Sequence, residues 1–297
     1  VHSPELTLFQ TFRWNHIAAR HFHAREAPYF VVAEDDNGAA IIPAVVRSEP
    51  RDIGLAGEAL FDYRDYLAAG DSRALMRGWQ HLTSLGLPLS LTAIRRAQGP
   101  IWNRLPKRFF SRSPMLKREE MAESQFAESH SRAFSRFRKL QRFGLELKTY
   151  KGDSGAVREI YERRARQSAP GDLFHDRTRI EFMVAICREE GARCEVYTLE
   201  HGGTLAAALV TFRDNDYRRF YTTYYDRAWA RYSPGISLLF EVARRSLQED
   251  LSFDLMTGEQ GFKKRLATSA QDLFEVKATA SQLAECLAPI AAIEHAA

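Results

Sequence analysis

Cysteine is scarce. Cys187, Cys194 and Cys286 are the three in the chain, and none stands in a CxxC or at zinc-ligand spacing from a histidine. That argues against disulfide stapling and against a structural zinc, so no metal is expected. Long apolar runs are missing too. Ala39 to Val46, broken by Pro43, and Leu205 to Val210 are among the longest; a membrane-spanning helix needs roughly 18 to 20 such residues. There is no Walker loop, no GxGxxG after a strand, no GxSxG and no HExxH, which removes several large enzyme classes. His21 with His23 is an isolated pair, a pattern that is more often solvated than metal-bound. The first twenty residues hold Glu5, Arg13 and Arg20 without a continuous apolar core. They do not read as a secretory signal, and a cytoplasmic protein without an integral membrane segment is expected.

What is present is ordinary globular composition, with 45% hydrophobic and 27% charged residues in 297. A chain of that length is expected to form two domains. The net charge of +4 is concentrated: Arg132, Arg136, Arg138, Lys139 and Arg142 lie in a stretch without an acid. Such a stretch is either a solvated helix face or a seat for a polyanion.

Hydrophobic spacing predicts a helix over Leu6 to Phe22. Two β-rich runs, Tyr29 to Ala33 and Ala39 to Val46, are separated by Glu34 to Gly38, which is hairpin chemistry. A helix from Arg73 to Ser84 and a strand over Leu89 to Ile94 follow. Between Ser111 and Ser124 the sequence turns polar and carries Pro114, so the connection between a domain over 1–120 and another over 121–297 is placed there. The second half predicts a strand at Leu145 to Tyr150 and a helix capped by Ser154. After Pro170 and Gly171 comes another helix, ending near Gly191. Strands over Cys194 to Leu199, Leu205 to Phe212 and Arg219 to Tyr225 then form a meander. A loop to Pro234 leads into the clearest amphipathic helix, from Gly235, with Ile236, Leu239, Phe240, Ala243 and Leu247 on one face. A strand at Ser252 to Met256, a short helix at Glu259 to Leu266 and a strand at Leu273 to Ala278 complete the order β-α-α-β-β-β-α-β-α-β.

That order, with Val196 to Leu199, Gly202 and Gly203, Tyr221 to Asp226, Arg231 to Gly235, and Phe253, Asp254, Gly258, Phe262 and Lys263, resembles the GNAT acyltransferases. More narrowly, it resembles the CelD-like branch associated with polysaccharide synthesis and related to Fem-type aminoacyltransferases. The resemblance covers most of Ser131 to Ala280. Pro28 to Val46 and the segment Phe61 to Tyr66 are similar to the family's amino-terminal portion. The implied class is α/β (α+β): two GNAT-like units in tandem, the first degenerate, with mixed, mostly antiparallel sheets flanked by helices.

The resemblance implies acyl-CoA, acetyl-CoA being the usual form, as co-substrate. A helix amino terminus offers unpaired N–H groups and partial positive charge to a pyrophosphate. Arg231, Tyr232, Ser233, Pro234 and Gly235 stand there; the family's Q/R-x-x-G-x-G/A loop is reduced to Arg231 and Gly235. Thr223, Tyr224 and Tyr225 would line the gap where the thioester meets strand amides. Lys263, after Phe262, matches a Phe-Lys pair whose lysine is implicated in holding the reacting carbonyl or its oxyanion. Relatives often carry tyrosine where Phe262 stands, so a phenol that could protonate a thiolate is absent. Glu195, Asp254 and Glu259 are the carboxylates near the expected cleft, and none is singled out as a base. Asp62, Asp65, Tyr66, Arg136 and Phe262 are expected to contact the acceptor, which would be a small molecule or a glycan precursor. No DNA partner is expected. Charged tRNA as donor, its phosphates on Arg132 to Arg142, is the alternative within transferases. A binding module that keeps the fold without the chemistry is the alternative outside them.

Overall fold

The computed structural model describes residues 6–57, 60–95 and 98–288. It divides into two compact units, one of residues 1–110 with 272–297 and one of residues 111–271.

The first unit begins with a 3-10 turn and helix α1 (Phe12–Phe22), which starts later than the apolar spacing suggests. Thr11 takes an extended backbone and its side chain accepts from Trp14 N–H, so the helix is capped there. Strands β1 (Glu26–Pro28), β2 (Val31–Asp35), β3 (Gly38–Ile42), β4 (Ala44–Arg47), β5 (Ile53–Leu55) and β6 (Leu67–Gly70) follow, then α2 (Ser72–Thr83) and β7 (Leu89–Ile94). The hairpin closes as expected, Asp35 opposite Gly38. The second run of that hairpin is two strands rather than one. Pro43 has no N–H to give a ladder, and on either side of it β3 pairs with β2 and β6 while β4 pairs with β1 and β5.

The second unit opens on β8 (Lys107–Leu116), where the polar composition had suggested a connection. Its inner end, Ser113 to Leu116, is buried, so that part is core strand rather than linker, while the units divide at 110/111. Next come α3 (Glu123–Ser129), the basic α4 (Ser131–Arg142), β9 (Glu146–Lys151), α5 (Ser154–Gln167) and α6 (Arg177–Glu190). Asp153, not Ser154, caps α5, accepting from Gly155 and Ala156 N–H. The meander is β10 (Cys194–His201), β11 (Thr204–Asp214) and β12 (Tyr217–Tyr225), leading through a 3-10 turn at Arg227–Tyr232 to α7 (Pro234–Gln248), β13 (Ser252–Asp254) and α8 (Gly261–Leu266). Within this unit the strands run β8-β13-β12-β11-β10-β9. All these pairs are antiparallel except β12 with β13. The core between sheet and helices includes Phe126, Phe134, Leu199, Leu209, Leu238, Val242 and Phe253.

The chain then returns. Strand β14 (Ser269–Ala278) pairs with β7 through Phe274–Ile94 and Ala278–Leu89, and α9 (Ala280–Cys286) packs near α2. Residues from 272 on thus belong to the first unit, whose sheet order is β1-β4-β5-β7-β14 and whose core is built on Trp79, Trp102, Tyr66, Leu91 and Val276. A strand's partner is a non-local fact, and local spacing had put 273–278 with the second half. Mixed, mostly antiparallel sheets flanked by helices are thus the architecture of both units, as expected.

Candidate active site

The second unit's sheet forks between β12 and β13. The two pair in parallel only over Tyr217–Ser252, Arg218–Phe253 and Arg219–Asp254. There β13 ends, while β12 runs on to Tyr225 paired with β11 and, among the described residues, with no second strand. The fork is pinned by a buried ion pair: the Arg219 guanidinium donates to Asp254, and to Asp214 at 2.6 Å. Asp254 also accepts from Met256 N–H at 2.8 Å. Beyond the pin, Asp226 N–H donates to Ala206 O on β11. Amides alternate in direction along a strand, so those of Tyr225 and Thr223 point into the gap.

Helix α7 begins at this gap. A Cβ on Gly235 would lie 3.5 Å from Tyr225 Cβ and 3.7 Å from Thr223 Oγ1, so the first turn rests on the free end of β12. Ser233 is left-handed (φ 50°, ψ 52°) and Pro234 occupies the first turn, where a missing N–H costs nothing. Ser237 N–H closes on Ser233 O. The N–H groups of Gly235 and Ile236 donate to no described backbone or side-chain group. One turn in, the Ser237 hydroxyl is 1% exposed and also has no partner among the described residues. Unsatisfied donors and a partial positive charge thus converge beside strand amides that are themselves open. Among the described residues no group of acids, histidines or cysteines could hold a metal.

On the other wall of the gap, Lys263 is buried at 4% exposure, and its Nζ donates to Thr257 O at 2.7 Å and Met256 O at 3.3 Å. It lies 5.5 Å from the ring centroid of Phe220, the first residue of β12 past the fork. The Phe262 ring meets the same Phe220 edge-on at 6.3 Å.

Residues 124–264 match the sequence profile of the acetyltransferase (GNAT) domain. Most of the second unit thus has a GNAT-like fold, which supports an acyltransferase. No curated protein matches the chain. Among solved structures, L-PGS from Bacillus licheniformis is similar over 93% of this chain and 97% of its own, at 9% identity and a TM-score of 0.61. FemX is similar over 90% and 91%, at 8% identity and 0.60. A Bacteroides thetaiotaomicron protein of unknown function is similar over 90% and 92%, at 11% identity and 0.60. At such identities the likeness is one of fold.

Within the GNAT domain the fork brings together Tyr224, Tyr225, Ser233, Pro234 and Gly235, with Phe262 and Lys263 on its other wall. The two tyrosines face opposite sides: Tyr224 is 4% exposed, Tyr225 47%. Arg231 is exposed, its guanidinium 4.6 Å over the Tyr232 ring. Tyr232 packs on Phe143 and Trp229, as a wall of the helix entry. Arg136 projects from α4 into solvent; its neighbour Arg138, with Gln141, Glu241, Arg244 and Arg245, lines a cleft of about 430 Å³ between α4 and α7.

Three expected acceptor contacts belong to the first unit. Tyr66 is a core residue, 2% exposed, with its ring against Trp102 at 5.4 Å and Trp79 at 6.3 Å. Buried Asp65 accepts from Tyr66 N–H at 2.9 Å, and Asp62 is half-buried. Burial corrects the reading of Tyr66 and Asp65 as binding residues, because alternating Asp and Tyr marks a packed turn as readily as a polar groove. Two of the carboxylates are engaged as well. Glu195 accepts from fully buried Arg218 at 2.8 Å and from the Tyr197 hydroxyl at 3.0 Å, and burial pushes the Tyr197 phenol well up. Asp254 serves the fork. Sequence reasoning missed Ser237 and Arg164 at this site; nothing in a helical stretch of arginines or in a lone serine distinguishes them.

Proposed function

We propose that the GNAT domain transfers an acyl group from acyl-CoA, acetyl-CoA being the simplest form, to an amine or hydroxyl of a small molecule or glycan precursor. The observation that carries this reading is the convergence, at the open end of β12, of the free Gly235 and Ile236 amides with those of Thr223 and Tyr225. The α7 terminus suits the donor's pyrophosphate, and the β12 amides suit its thioester carbonyl. The acceptor atom attacks that carbonyl, the C–S bond breaks, the thiolate leaves as CoA, and the acceptor's proton passes to solvent. In this reading Lys263 holds the charge that develops on the carbonyl oxygen. Acyl-CoA is a cytoplasmic metabolite, and among the described residues no helix is long and apolar enough to cross a membrane.

A second reading is aminoacyl transfer from tRNA. It is favoured by the exposed cations of α4, whose last turn adjoins the α7 entry: the Phe143 ring meets that of Tyr232 at a tilt, 5.3 Å between centroids, and Lys139 lies 5.7 Å over Phe143. Titrating the chain with CoA and with charged tRNA by calorimetry separates the two. The contacts at Gly235 are ordinary van der Waals distances, so Gly235→Ala should bind CoA nearly as the wild type does. Gly235→Asp should lose CoA affinity at least tenfold, because a carboxylate repels a pyrophosphate. Equal affinities in folded variants would remove α7 from the donor site.

A further inference from the structure

Neighbouring residues of a strand face opposite sides of the sheet. Thr223 and Tyr225 meet α7; Thr222 and Tyr224 meet arginines of α5. On that second face Arg164 of α5 donates through Nη1 to Thr222 Oγ1. Its guanidinium carbon lies over the Phe174 ring, 3.6 Å from the centroid.

Half-buried Arg164 differs from the other inward-set guanidiniums of this unit. Arg218 pairs with Glu195 and Glu249, Arg219 with Asp214 and Asp254, Arg244 with Glu241 and Glu123. Adjacent Arg163 pairs with Glu159 at 2.8 Å. Arg164 makes no ion pair with any described carboxylate, and its Nε and Nη2 donate to no described group. Burial lowers its pKa, with only partial compensation from Tyr161 and Asp172. Arg164 is half-buried, and a guanidinium partly withdrawn from water gains from an anion that meets it. The unused Nε/Nη2 edge is the fork that binds carboxylate or phosphate oxygens in pairs. Arg227, reaching Gln167 O at 3.0 Å, adds a second cation at the end of α5.

We propose that the acceptor carries an anionic group, a carboxylate or a phosphate monoester, and that Arg164, stacked on Phe174 and anchored to Thr222, grips it on the face of β12 opposite α7. This rests on the acyl-transfer reading above. It narrows the substrate class to acidic amines or alcohols, delivered to the gap from the side that the donor leaves open.

The test is a titration of isotope-labelled protein with inorganic phosphate and, separately, with acetate, at constant ionic strength and with CoA saturating. CoA keeps the α7 terminus occupied. Backbone amide resonances of Thr222 and Tyr224 should shift saturably, and the tighter of the two probes identifies which anion the site prefers. Arg164→Gln should weaken that binding at least tenfold. Arg164→Lys, which keeps the charge but loses the planar fork, should fall between, and it stands in if the glutamine variant does not fold. Absence of a saturable shift, a shift centred on α4 or on Gly235, or equal binding by the variants overturns the proposal. CoA binding without a phosphate or acetate site would leave the acyl-transfer reading standing. Failure of CoA to bind the folded wild type would remove that reading, and the same titrations without CoA would still decide the role of Arg164.

Discussion

Lys263 is the residue on which the chemistry of the proposed reaction turns most directly. Its ammonium is fixed by the carbonyls of Met256 and Thr257 and stands over Phe220, so its direction is set before any ligand arrives. If that charge acts as the carbonyl oxygen becomes an oxyanion, Lys263→Met should lower the single-turnover rate by about a hundredfold, the usual loss for one such donor. CoA affinity measured on the same variant should barely change. A lysine that clamped phosphate would instead raise the dissociation constant in step with the lost rate, and full activity would remove Lys263 from the site. Its place in the chain was legible from the Phe262-Lys263 pair. Its burial was not, because the run Lys263, Lys264, Arg265 looks like surface charge, and only the fold shows that the first of the three turns inward.

Among the elements, the junction of α3 and α4 against α7 holds a histidine that should make stability depend on pH. His130 packs edge-on to Phe126 at 4.6 Å and to Phe240 at 5.0 Å. Burial there lowers its pKa below the ordinary 6.5, partly offset by a hydrogen bond to the Ser129 backbone, with Arg265 lowering it further. The unfolded chain therefore takes up this proton at a higher pH than the folded chain does. The contribution to stability is complete above about pH 6.5 and is lost as pH falls through that value towards the folded pKa. Thermal melts from about pH 7.5 down to about pH 5.5 should show a steeper fall in Tm for the wild type than for His130→Gln; parallel curves would show that the ring is not titrating there. The elements themselves were read with mixed success, for identifiable reasons. Helix α7 and the meander were plain because their spacing is regular over many residues. Strand β8 was hidden because its outer residues, Lys107 to Phe110, mix charge with exposed aromatics. The cap of α5 was displaced by one residue because Asp153 and Ser154 are both good caps.

For the whole molecule, the consequential fact is that the first unit is discontinuous in sequence, made of residues up to 110 and from 272 on. Strand β14 supplies a partner to β7, and Leu283 and Leu287 are buried in the core that includes Trp79. Ending the chain at residue 271 should thus damage the first unit and spare the second. Hydrogen exchange should show lost protection in β7 and α2, with β10, β11 and β12 still slow; loss spread evenly over both units would contradict the division. Local periodicity carried no sign of this return, since nothing in Phe274, Val276 or Ala278 names the strand they join.

The same discontinuity bears on how the protein is born. A ribosome delivers residues in order, and domains generally fold as they emerge. Here β7 leaves the ribosome without the neighbour that will cover its β14 side, and the whole GNAT domain must be translated before that neighbour arrives. The acyltransferase fold can therefore be complete while the segment made first still waits with an open, apolar strand edge. That interval, set by the length of the insertion, is when a nascent chain is most exposed to aggregation and most in need of a chaperone.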